Sequence, residues 1–105
     1  MGDDDLRQHQ RFALTIEQAV RMANREVLQP VIGTLSEDRI LAVAVEVAKR
    51  RGAYISATMD LGNSGENRPT GDVLRALRLE YEETRDAFAN LMTSIERGYI
   101  DLPDN

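Results

Sequence analysis

Apolar residues are densest between Ile40 and Ala48, where Glu46 is the only polar side chain. This run is compatible with either a β-strand or an α-helix. Its valines alternate mainly with alanines, which is the period of a β-strand, and valine is common in strands. Wound into an α-helix, the same residues form one broad apolar surface with Glu46 outside it. The apolar pattern alone therefore leaves helix and strand open.

The residues that flank this run favour the helix. Ser36 is a good N-cap, and residues 37–38 place negative charge in the first turn. Residues 49–51 are all basic and complement the carboxyl end of a helix dipole. Gly52 follows them, where a left-handed residue commonly ends a helix. These signals together outweigh the alternation.

The helix is predicted to continue beyond the basic residues. Residues 53–61 extend its apolar face, so we predict a helix over about 36–61 with a possible break at Gly52. The alternative is a β-hairpin at about 40–61 within an α+β fold. A two-stranded hairpin alone is barely stable, which favours the helix again.

A first helix is predicted over about residues 16–29. Thr15 and Gln18 have the spacing of a capping box. Apolar residues then recur at helical spacing, namely Ile16, Ala19, Val20, Ala23 and Val27. Pro30 cannot continue a helix without a kink, so a short connector should follow.

The residues before this helix have a different character. Residues 1–11 contain three consecutive aspartates and little that is apolar, which predicts a flexible acidic arm. A rival interpretation starts a helix at Asp5. The rest of the chain, residues 12–105, has the length of a single domain and is predicted to form one helical domain.

The last helix carries the most regular pattern in the chain. It is predicted over about 71–97, with Thr70 as its N-cap and Gly98 after its end. Its apolar residues recur at alternating spacings of three and four, which is typical of a coiled-coil seam. With Thr84 as one polar member, this α3 seam comprises Leu74, Leu77, Tyr81, Phe88, Leu91 and Ile95.

The apolar residues offer little bulk for a core. The chain has no Trp, two Phe and three Tyr, so burial gives less stabilisation per residue than usual. One layer of three helices cannot cover both the α3 seam and the Val-rich second helix. Val43 and Val47 of the second helix are predicted to lie in the same interface as the seam. We therefore predict an all-α helical bundle completed by a homodimer.

Composition excludes several classes of function. Cysteine is absent, which removes disulfides and thiolate sites and fits a cytoplasmic protein. A net charge of −5 argues against a nucleic acid partner, because binding to phosphates needs clustered basic residues. The longest apolar run falls short of the roughly 20 residues that a membrane helix needs.

Candidate chemistry is sparse, and no catalytic residue, metal site or cofactor is predicted. Glu80 and Glu83 are spaced to share a cation or to act as an acid–base pair, but a solvated helix face is the simpler interpretation. Arg50 and Arg51 could contact an acidic partner, although a basic helix end is the simpler interpretation. All four are candidates for polar contacts only.

Three classes of function remain open from the sequence. The first is a small non-enzymatic interaction or regulatory protein that acts through an apolar helix face and contacts a protein partner. The second is an accessory subunit of a larger enzyme or complex. The third is a small enzyme or ligand binder that uses the carboxylates of the last helix. We favour the first.

Overall fold

The computed structural model describes residues 2–103, which fold into three α-helices and contain no β-strand. The helices are α1 (Gly2–Ile32), α2 (Glu37–Met59) and α3 (Gly71–Glu96), and a single 3₁₀ turn, Asp60–Gly62, follows α2. The predicted all-α class is therefore confirmed, and the alternative hairpin at 40–61 is wrong. The Ser36 cap and the acidic first turn lie where they were predicted, whereas the predicted carboxyl-terminal signals are wrong, because residues 49–51 and Gly52 lie inside the helix and do not end it.

α1 begins at Gly2 rather than near residue 16. Residues 2–11, which we predicted to be an arm outside the helical domain, form its first turns, and Met1 lies outside the described residues. The three aspartates at positions 3–5 lie in the first turn, where negative charge stabilises the amino end of a helix. The flexibility of this segment stays a prediction.

Thr15 lies inside α1 and does not cap a helix. Its Oγ1 donates a hydrogen bond to the carbonyl oxygen of Arg11 at 3.0 Å, four residues earlier. This bond is made within a continuous helix, so the predicted capping box is wrong.

α1 ends at a glycine rather than at its proline. Pro30 lies in the last turn, and the helix continues to Ile32. Gly33 has φ +69°, the left-handed conformation that favours glycine, and its N–H donates to the carbonyl oxygen of Gln29 at 2.8 Å. Proline lacks the N–H of one helical bond but does not prevent the helix from continuing for two more residues.

α2 has the predicted N-cap and no break. The Oγ of Ser36 accepts a hydrogen bond from the N–H of Arg39 at 3.2 Å. Gly52 is helical, and the helix passes through it to Met59. A glycine in a helix interior costs only about 1 kcal/mol relative to alanine, too little to interrupt a helix of this length.

Both ends of α3 follow the predicted chemistry. The Oγ1 of Thr70 accepts from the N–H of Val73 at 3.2 Å. At the other end Gly98 has φ +74°, and its N–H donates to the carbonyl oxygen of Ile95 at 3.0 Å. The N–H of Tyr99 donates to the carbonyl oxygen of Ser94 at 2.9 Å. These two bonds form a Schellman motif.

The chain divides into two compact units, of which the first comprises Met1–Leu35 and Thr93–Asn105. Its described part consists of α1, the last residues of α3 and the segment after it. Leu35 and Ile100 are both 5% exposed. Arg25 fixes the carboxyl-terminal segment, because its Nη1 donates to the carbonyl oxygen of Gly98 at 2.8 Å and its Nη2 donates to Asp101 Oδ1.

The second unit, Ser36–Met92, is a helical hairpin of α2 and most of α3. Val47 is its one buried residue. The rings of Tyr54 and Tyr81 stack with centroids 6.2 Å apart, and Arg68 in the connecting loop donates to the carbonyl oxygen of Leu61 at 2.9 Å. A two-helix hairpin encloses one stripe of each helix, so the core of this unit is thin.

Candidate interaction surfaces

The α3 seam is the better-packed face of its helix. All six of its residues, Leu74, Leu77, Tyr81, Phe88, Leu91 and Ile95, are half-buried. Val73 and Leu79 on other faces of α3 are exposed. Within the second unit, the ring contact between Tyr81 and Tyr54 shows that this part of the seam faces α2.

The two predicted interface valines of α2 differ in burial. Val47 is 5% exposed, whereas Val43 is exposed over about a third of its surface (37%). Val47 therefore belongs to the interior of the hairpin, and Val43 lies at the margin of that interior.

Of the four predicted polar residues, Arg50 and Glu80 form an ion pair, Arg51 contacts Tyr81, and Glu83 is exposed. Arg50 Nε donates to Glu46 Oε1 at 3.1 Å, and Arg50 Nη1 donates to Glu80 Oε2 at 2.8 Å. These hydrogen bonds, first that to Glu46 and then that to Glu80, raise the pKa of Arg50. The bond to Glu80 ties α2 to α3.

Tyr81 is surrounded by positive charge. Arg51 Nε donates to the Tyr81 hydroxyl at 3.2 Å. The guanidinium groups of Arg51 and Arg85 lie over the ring, 5.3 Å and 5.4 Å from its centroid. The hydrogen bond from Arg51 is the main cause that lowers the pKa of Tyr81. This cluster holds the middle of the hairpin together, since cations over an aromatic face are attracted to it.

These groups connect α2 and α3 through hydrogen bonds and an ion pair. Glu80 is paired with Arg50, and its side chain is half-exposed. Residues 2–103 contain no group of three or more acidic, His or Cys side chains able to hold a metal ion. The cluster can therefore orient α3 on α2.

Two open grooves lie within the units. The larger, about 700 Å³, belongs to the first unit. It is lined by Leu14, Ile16, Glu17, Gln18, Val20, Arg21, Glu96, Arg97 and Tyr99. The smaller, about 260 Å³, lies in the hairpin beside Tyr54 and Leu74. The larger groove has an aliphatic wall contributed by α1 and a charged rim.

α1 carries a long exposed apolar face. Six residues at helical spacing, which we name the α1 stripe, are all exposed: Leu6, Ala13, Ile16, Val20, Ala23 and Val27. The aromatic ring of Phe12 beside them is 66% exposed. Contiguous exposed apolar surface of this kind marks interaction sites.

α2 carries a second apolar face on the side away from Val47. Its residues recur at spacings of four and three, and we name them the outer stripe: Leu41, Val45, Ala48, Gly52, Ile55 and Met59. All six are exposed; Ile55 is 50% and Met59 is 76% exposed. The sequence interpretation treated the apolar surface of α2 as one and did not separate this stripe.

No protein-family model matches the chain, and neither a curated protein nor a solved structure is significantly similar to it. None of the helices in the described part of the chain is both long enough and apolar enough to cross a membrane. The surfaces described above are therefore the basis for assigning a function.

The heptad spacing is the sequence signal that could have identified the outer stripe. Positions 41, 45, 48, 52, 55 and 59 repeat as regularly as the α3 seam. The signal was hidden because a second set of apolar residues, including Ile40 and Val47, lies on the opposite side of the same helix. One apolar side of α2 therefore lies in the hairpin, and the other is exposed.

Proposed function

We propose that the protein is a small non-enzymatic interaction protein that works as a homodimer and contacts its partners through apolar helix faces. The observation that carries this proposal is the distribution of burial. Among residues 2–103, the buried side chains are Leu35, Val47 and Ile100, while sixteen large apolar side chains are exposed. An interior of three buried residues is very small for a chain of this length.

The α1 stripe supports a second candidate function, an accessory subunit of a larger complex. It lies on a helix of 31 residues, and residues 2–23 of that helix are all exposed. This face could pack against a helix of a different protein even when the hairpin is occupied by a second copy. The carboxylates of α3 give no comparable support for an enzyme. A cytoplasmic location is part of the same proposal and rests on the absence of cysteine.

Unfolding at several protein concentrations tests the homodimer. When folding and association are coupled, each tenfold rise in protein concentration adds about 1.4 kcal/mol to the apparent stability. We therefore expect the urea midpoint, followed by circular dichroism, to rise steadily with protein concentration. A cooperative transition whose midpoint is independent of concentration would contradict the proposal.

A further inference from the structure

We infer that the outer stripe of α2 is the surface on which a second copy of the chain docks, as an antiparallel helix pair centred between Ala48 and Gly52. This inference rests on the proposed homodimer. It adds which face forms the interface and in which direction the two helices run.

The outer stripe has the length and spacing of a helix-pairing surface. From Leu41 to Met59 it covers 19 residues, with a rise of about 27 Å along the helix. Its alternating spacing of four and three keeps it on one side of α2, as in the seam of a coiled coil. The opposite side of α2 is already occupied, because Val47 is buried and Tyr54 stacks on Tyr81 of α3. The outer stripe is therefore left for a partner outside the hairpin.

The order of residue sizes along the stripe is symmetric about position 50. Leu41 and Met59 lie at equal distances from that point, as do Val45 and Ile55, and then Ala48 and Gly52. Two copies related by a two-fold axis place each of these residues opposite its counterpart. Large side chains then meet large ones at both ends, and small residues meet at the centre. This self-complementarity identifies the occupant as a second copy.

The centre of the stripe allows two helices to approach closely. A Cβ placed on Gly52 would meet no atom of the protomer within 4 Å, so the space beside it is open. Glycine in a helix interior is unfavourable relative to alanine by about 1 kcal/mol. A glycine opposite an alanine removes the steric obstacle between two crossing helices. Close approach of a second helix would therefore explain why glycine stands at position 52.

Charge favours the antiparallel direction. Glu37 and Asp38 lie at one end of α2, and Lys49 lies near its middle. In a parallel pair, the acidic first turns of both copies would lie side by side and repel each other. In an antiparallel pair they lie at opposite ends. Lys49 lies near the centre in both arrangements and does not decide between them.

Substitution at adjacent positions of α2 tests the interface. Gly52→Glu places a charge on the outer stripe and replaces glycine by a better helix former, so loss of association cannot be ascribed to loss of helix. Ala53→Glu is the matched control, since Ala53 is exposed and lies off the stripe. We expect the dimer of the full-length chain to dissociate about 30-fold or more readily in Gly52→Glu, with little change in Ala53→Glu.

The outcomes of this comparison are distinct. A wild-type chain that is monomeric by sedimentation overturns both the homodimer and this inference. A wild-type dimer that persists unchanged in Gly52→Glu overturns the inference alone and leaves the homodimer standing. Equal dissociation of both variants also overturns it, because the effect would not be specific to the stripe.

A single spin label tests the direction. The chain has no cysteine, so Asp38→Cys can be labelled at one position. An antiparallel pair centred at position 50 separates the two labels by 24 residues of rise, or about 36 Å along the helix axis. A parallel pair in register brings them to roughly 10 Å, the distance between packed helices. A distance far from the first value, measured by double electron–electron resonance, overturns the antiparallel arrangement.

Discussion

Truncation of Ile100 to alanine should be one of the most destabilising single changes in the first unit. Ile100 is 5% exposed and lies in the segment that follows α3. Its neighbour Asp101 is bound by Arg25, and the carbonyl oxygen of Asp101 accepts from the N–H of Leu35 at 3.4 Å. The segment is thus held by one apolar anchor and a few polar bonds, and the two kinds of contact can be separated by mutation.

Ile100→Ala should lower the free energy of unfolding several-fold more than Asp101→Asn. Truncation of a buried isoleucine to alanine costs about 2–5 kcal/mol through lost transfer energy and the cavity that remains. Because this segment can relax toward the space left behind, we expect about 2–3 kcal/mol for Ile100→Ala. Asp101→Asn removes the charge of a half-exposed ion pair, and such pairs contribute about 1 kcal/mol or less. Burial, not the ion pair, should therefore dominate the attachment of the segment.

Urea unfolding at one fixed protein concentration measures both changes, since association otherwise alters the apparent stability. Leu102→Ala is the matched control, because Leu102 is half-exposed and its truncation should cost well under 1 kcal/mol. Hydrogen exchange of the Leu35 amide reports locally on the same attachment. If Asp101→Asn costs more than Ile100→Ala, or if Ile100→Ala is as mild as the control, the assigned role of Ile100 is wrong.

Three further predictions concern helix ends and the tyrosine cluster. Ser36→Ala should cost about 1 kcal/mol in urea unfolding, because the N-cap bond to α2 is lost; no change would contradict that role. Gly98→Ala should cost about 1 kcal/mol, because alanine must adopt φ +74° there, and a higher melting temperature would count against the motif. Arg51→Met should raise the pKa of Tyr81, measured by the ultraviolet absorbance of phenolate, and an unchanged titration would refute the assigned cause. Since the pKa of Tyr81 is lowered in the folded chain, wild type should gain stability over this variant as pH rises through that pKa toward about 10.

Helix ends were predictable where the signal is local. Ser36, Thr70 and Gly98 act through hydrogen bonds within a few residues, and the structure places each in its predicted role. Thr15 shows the limit of such signals. Its hydroxyl can cap a helix or bond to an earlier carbonyl within one, and only the continuation of the helix before it decides between the two.

Contacts between distant segments were not predictable from the sequence. Arg25 and Asp101 are 76 positions apart, and no local pattern connects them. The two faces of α2 present a related difficulty. Its apolar residues are so dense that the pattern permits two stripes, and the contacts of Tyr54 and Arg50 with α3 show which side faces that helix. The helix was predictable, but the surface that remains exposed on it was not.

Sedimentation equilibrium of the full-length chain at tens of micromolar tests the central claim most directly. We predict a mass of about twice 11.8 kDa, because we propose that a second copy covers the exposed apolar face of α2. A species of 11.8 kDa that retains a cooperative thermal transition would contradict the account. In that case the few buried side chains would suffice for a stable fold, and the outer stripe of α2 would need another occupant.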